Sequence, residues 1–248
     1  MPQLKLPSRA ASVSDLLDAA TVLFRMTLAK GLPVALFATL LAALPNMYWL
    51  TTGKAMDPWH PPSDAKFWAL TAASLAAYQL LAAMLMLRQR TMLTGAAPDL
   101  QRETTTALAR WPMLLITAVL GGIAVFAGAL ALLFPGVFLL VCFLLLRPVV
   151  LFESLDPFQV LVRCVRLARP MWPKVLASTV IAGLIFVVCV VAAAACLSIL
   201  KLIVMSFGVQ AAAVSAFAAA CELGVEALAL VYFNALWLVL YSAASSSA

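Results

Sequence analysis

Glu222 and Glu226 stand one helical turn apart inside the otherwise apolar stretch CELGVEALALVYFNALW. At a spacing of four residues both carboxylates project from one side of a helix. Asn234, eight residues beyond Glu226, falls roughly 80° further round the axis. A carboxylate at membrane depth costs about 2.5–3.5 kcal/mol on insertion scales, so it faces a bundle interior, a partner or water. The chemistry open to these three intramembrane polar residues is holding a cation or a proton inside a bundle. The structural alternative is that the two acids sit near the outer end of the last span, or pair with a basic residue.

A second group carries positive charge. Asp156 is placed to cap a helix whose first position is Pro157. Phe158, Leu161, Val162, Val165 and Ala168 then recur at helical spacing, and Arg163, Arg166 and Arg169 occupy the other face. Such a helix lies in the headgroup plane, apolar side down. Each basic residue there contributes about 1 kcal/mol of attraction to an anionic surface. With Arg25 and Lys30, the three arginines are the candidates for contact with lipid headgroups.

A third group is structural. Pro135-Gly136 supplies a helix stop and a tight turn. Further on, Arg147 and Glu153 flank Pro148, and Glu153 is expected to neutralise Arg147 or one of Arg163 and Arg166, fixing the amphipathic helix against the bundle.

Familiar hydrolytic chemistry is excluded. His60 is the single histidine, in the loop DPWHPPSD, and Asp57 and Asp64 beside it are too few for a metal that needs three or four convergent ligands. No GxSxG, HExxH, P-loop or dinucleotide glycine motif is present, and the serines lack a histidine partner. Cys142, Cys164, Cys189, Cys196 and Cys221 show no CxxC spacing and read as small apolar residues. No cofactor, metal or catalytic set is expected.

The elements that carry these residues follow from composition. Of 248 residues 65% are hydrophobic and only 10% charged, which leaves too little polar surface to cover a soluble globule. In lipid every backbone polar group must be paired internally, and long continuous apolar runs without strand alternation mean helices. The expected fold is all-α integral membrane, with spans at about 31–50, 67–87, 112–133, 137–152, 175–200 and 213–241. The run Trp111–Leu146 holds 36 residues without a charge. At full helical length it would reach about 54 Å, so it must fold back across a ~30 Å core. The stretch 202–241 admits one long tilted helix, an interfacial helix with a span, or two short spans.

Orientation follows from charge. With the N-terminus inside, thirteen of the sixteen basic residues lie on the cytoplasmic side, the exceptions being Lys54, Lys66 and Lys201. Both termini are therefore expected in the cytoplasm, and the net charge of +6 belongs to topology and anionic headgroups rather than to nucleic acid. The N-terminus lacks the apolar core and small-residue cleavage site of a signal peptide.

A faint repeat organises the chain. Leu28-Ala29-Lys30, Leu108-Ala109-Arg110 and Leu167-Ala168-Arg169 are each followed within three residues by proline. Amphipathic segments at about 12–30, 99–110 and 157–170 precede them. The expectation is three units, each an interfacial helix, an elbow made by proline and a hairpin of two spans. Chance offers the alternative, because leucine, alanine, cytoplasmic basic residues and proline at helix starts are all expected here without duplication.

The stretch 135–172, PGVFLLVCFLLLRPVVLFESLDPFQVLVRCVRLARPMW, resembles the bacterial membrane domain that precedes some glycerophosphoryl diester phosphodiesterases, and its stand-alone relatives of unassigned function. The matching positions are Pro135 and Gly136, then Pro148, Val149, Val150 and Glu153, then Leu161 and Arg163; Val160 and Cys164 stand where alanine and serine are usual. The resemblance covers about 40 residues closely and implies a bacterial inner membrane. It brings no activity, since the phosphodiesterase domain is a separate barrel with histidines and a carboxylate-bound metal.

Three functions follow in order. The first is a non-enzymatic inner-membrane protein that contacts anionic lipid and supports membrane organisation, a partner protein or a second copy of itself. The second is a transporter or channel component in which Glu222, Glu226, Asn234, Gln79 and Asn46 line a polar route. The third is a membrane-embedded lipid enzyme.

Overall fold

The structure is a computed structural model that describes residues 7–52, 62, 64–206 and 211–246. His60, Asp57 and Lys54 lie outside the described residues, as does the side chain of Lys201. Eight helices follow one another, with no strand among the described residues: α1 Val13–Thr51, α2 Ala65–Leu93, α3 Leu100–Ala131, α4 Leu133–Phe143, α5 Leu146–Phe152, α6 Pro157–Ala168, α7 Trp172–Ser206 and α8 Ala211–Ser245. Counting α4 and α5 together, six stretches among the described residues are long and apolar enough to cross a membrane. The protein is thus an all-α integral membrane protein, as its composition requires.

Short polar residues start the helices. Ser12 and Asp15 form a reciprocal capping box at α1, the Ser12 N–H donating to Asp15 at 2.9 Å and the Asp15 N–H to Ser12 Oγ at 3.2 Å. Asp64 accepts the Lys66 N–H at 2.9 Å at the start of α2, and Asp99 accepts those of Gln101 and Arg102 at α3. Asp156 holds the cap position of α6 with Pro157 next, but its side chain makes no capping bond.

Of the three segments expected as separate interfacial helices, only 157–170 forms a helix of its own, α6. The segment 12–30 is the first half of α1, which runs through Pro33 and Pro45 without a break, and 99–110 is the start of α3, which runs through Pro112. Proline removes one hydrogen bond and weakens a helix locally, yet both helices continue through it. Nor does the apolar stripe of 12–30 rest on lipid. Leu16, Ala20 and Leu23 are fully buried in one cluster with Val160, Cys164 and Leu167 of α6 and with the end of α8. At 39 residues α1 is about 58 Å long, so much of its first half extends beyond a ~30 Å core and packs on protein. The elbow unit therefore occurs once.

The turn expected at Pro135-Gly136 falls earlier. Leu132 is extended (φ −162°, ψ 141°) and is the only residue between α3 and α4, while Pro135 and Gly136 lie in the first turn of α4. Gly136 works by close approach instead: a Cβ there would come within 2.7 Å of the Ala129 Cα, so the arms of the hairpin meet backbone to backbone. The span expected at 137–152 is likewise interrupted at Leu144-Leu145. Pro148 has no N–H to offer the Leu144 carbonyl, and the chain tightens there into bonds from Leu144 to Val141 and from Leu145 to Cys142.

α8 is the central helix, packed along α1 and against α2, with Ala227, Leu230, Val231, Ala235 and Leu236 buried. Its described residues form one helix, which settles the form of 211–245. Gly31 lets α1 close on α2, since a Cβ there would stand 2.8 Å from Leu85 Cδ1. α7 lies at the edge and exposes Leu184, Val188 and Val191, a surface suited to hydrocarbon.

Candidate functional site

At one end of the bundle the arginines of α6 take separate roles. Residues three apart on a helix step about 60° backward round its axis, so Arg163 and Arg169 face directions about 120° apart. Arg163 turns to Glu153, Nε donating at 2.9 Å. Glu153 also accepts the Tyr241 hydroxyl at 3.0 Å, and Tyr241 packs on Phe152, whose ring carries the Arg90 guanidinium 3.9 Å above its centroid. This chain ties α6 to α2, α5 and α8. Of the three partners expected for Glu153, the one found is Arg163.

Arg166 and Arg169 are exposed, and both line a groove of about 730 Å³. Its walls are apolar: Ala124 of α3, Phe143 of α4, and Leu161, Val162 and Val165 of α6. Two guanidiniums beside an apolar trough can take a phosphate on the donors and acyl chains on the wall. Arg25 and Lys30 are exposed on α1 and are not part of this groove. On the inward face of α6, burial pushes the Cys164 thiol up to about 12, with Cys142 and Glu153 adding to the shift.

Deeper in the bundle Arg147 is held by neutral acceptors. Its guanidinium donates to Asn234 Oδ1 at 2.6 Å and to Gln79 Oε1 at 2.8 Å, and packs 5.5 Å from the Trp237 ring centroid. Asn234 donates in turn to the Ala82 carbonyl at 3.2 Å. The side chain of Arg147 thus joins α2, α5 and α8, and no carboxylate among the described residues pairs with it. These charge-assisted bonds orient the guanidinium without supplying a counter-charge.

The acidic pair is separated from that node. Glu222 and Glu226 are both exposed on α8 among apolar residues, and Asn234 is fully buried on Arg147, so the three do not converge on one cavity. Glu226 alone of them lines a cavity of about 440 Å³, shared with Thr39, Tyr78, Phe186, Phe233 and Trp237. Ala42 and Tyr78 also line an adjoining space of about 280 Å³ that reaches Asn46, Thr71 and Ser74. Gln79 faces Arg147 instead.

Two buried polar contacts are absent from the sequence expectations. Arg88 pairs with Glu103 at 2.9 Å, with 13% and 4% of the side chains exposed, and donates to the Lys30 carbonyl at 2.8 Å. Gln89 is fully buried and donates to the Val231 carbonyl at 2.9 Å. The cluster Arg88-Gln89-Arg90 signals a span end but leaves its partners unspecified, because they lie on other helices. No family model, curated protein or solved structure matches the chain.

Proposed function

We propose that this is a non-catalytic protein of the bacterial inner membrane, with both termini in the cytoplasm, which gathers anionic phospholipid on its cytoplasmic face. The observation that carries this reading is the groove between α3, α4 and α6, where Arg166 and Arg169 stand exposed over apolar walls. The concentration of basic residues at span ends supports the orientation, and the resemblance of 135–172 to a bacterial membrane domain supports the location. Bound lipid at α6 would add to the contacts by which Arg163 and Lys174 fasten this end of the bundle; Lys174 Nζ donates to the Arg9 and Ala11 carbonyls.

The test is lipid retention by the purified protein in nanodiscs made of phosphatidylcholine with a minor fraction of phosphatidylglycerol. The protein enriches phosphatidylglycerol around itself, and Arg166→Gln with Arg169→Gln abolishes the enrichment. Arg163→Gln changes it little, because that charge is already neutralised. Glu153→Gln raises it by freeing Arg163, with some loss of stability because the pair is half-buried and also holds the Tyr241 hydroxyl. Equal retention by the wild type and the double variant refutes the reading.

A further inference from the structure

We infer that the cavity around Glu226 is a binding site for a small lipophilic organic cation, reached from the α1–α2 edge of the bundle. This rests on observations independent of the lipid groove. Glu226 sits 15 residues after the start of α8 and 19 before its end, near the middle of this apolar helix. A carboxylate at that depth needs compensation, yet no basic side chain among the described residues pairs with it. The nearby Arg147 is oriented by Asn234 and Gln79 and makes no direct ion pair with Glu226, so the carboxylate oxygens are left open to the cavity.

Aromatic rings share the lining with Glu226: Tyr78 comes from α2 and Phe186 from α7, while Phe233 and Trp237 follow along α8 itself, the Trp237 ring also taking the Arg147 guanidinium. Phe233 is packed by both Phe186 and Trp237, at ring-centroid distances of 6.2 and 6.0 Å, so the wall is a connected set of rings. Aromatic faces attract cations, and strongly when water is excluded. One carboxylate with several rings is the chemistry that selects a positively charged, apolar-substituted ligand. A volume of about 440 Å³ suits a small molecule rather than a bare ion. Through Ala42 and Tyr78 the cavity adjoins the second space, whose Asn46, Thr71 and Ser74 give an entering cation a polar path. Glu222, one turn away, is not in the lining and serves as an internal control.

The experiment uses two probes of the same shape and opposite charge, tetraphenylphosphonium and tetraphenylborate, in equilibrium binding to the purified full chain in mild detergent. Tetraphenylphosphonium binds saturably and tetraphenylborate does not compete. Glu226→Gln weakens the cation by about tenfold or more, while Glu222→Gln changes it by less than about twofold. Should Glu226→Gln fail to fold, Phe233→Leu keeps the charge and removes a ring, and weakens the cation several-fold. Absence of saturable binding, equal binding of the anion, or unchanged affinity in a folded Glu226→Gln protein overturns the inference.

Discussion

Arg147 and Asn234 are 87 residues apart in the chain, yet the guanidinium of one donates to the side-chain oxygen of the other at 2.6 Å. That bond joins a short helix restarted by proline to the central helix of the bundle. It also explains an asparagine buried among leucines, valines and alanines: its oxygen holds the arginine and its nitrogen the Ala82 carbonyl.

Removing the acceptor strands a charge. Asn234→Leu is expected to lower stability by about 2–3 kcal/mol, the cost of a lost charge-assisted bond together with an unsatisfied buried donor. Arg147→Lys does not substitute, because one ammonium cannot reproduce a guanidinium forked between Asn234 and Gln79. Replacing both partners with apolar residues costs less than the two single changes added together. Thermal melts of the wild type, Asn234→Leu, Arg147→Leu and the double variant in one detergent decide this, and simple additivity would show that the contact carries no energy.

Gly136 and Gly122 give opposite responses to the same change. Gly136→Ala drives a methyl to 2.7–2.8 Å from Ala129 and costs about 1–3 kcal/mol by forcing the α3–α4 hairpin apart. Gly122→Ala meets nothing within 4 Å and gains up to about 1 kcal/mol from helix propensity. Melting temperatures moving in the same direction for both variants would contradict the close approach.

Cys164 is the titratable group whose environment is most altered on α6. Its thiol, pushed from the ordinary 9.0 to about 12 by burial, stays neutral and enclosed at physiological pH. In a variant whose other cysteines are serine, Cys164 therefore resists maleimide at pH 7.5 and reacts fully in denaturing detergent. The folded value is raised, so this group's contribution to stability is fully present below pH 9 and is lost as pH climbs from about 9 towards 12. Rapid labelling of the native protein would place α6 away from the bundle.

The chain's composition and run lengths alone determined that this is a helical membrane protein with about six spans, because apolar content and backbone pairing in lipid are sums over local residues. The amphipathic α6 with its arginines was legible for the same reason, since its pattern depends on neighbours three or four positions away, although the cap expected from the Asp156 side chain is not made. Only the tertiary structure decided which arginine takes Glu153, which acceptors hold Arg147, and that Glu226 faces a cavity while Asn234 does not. It also decided that Pro33 and Pro112 lie inside unbroken helices while the chain breaks before Pro148. Proline weakens a helix locally in each case. Whether the helix continues is decided by packing along its whole length, and the surfaces it packs on come from helices distant in the chain.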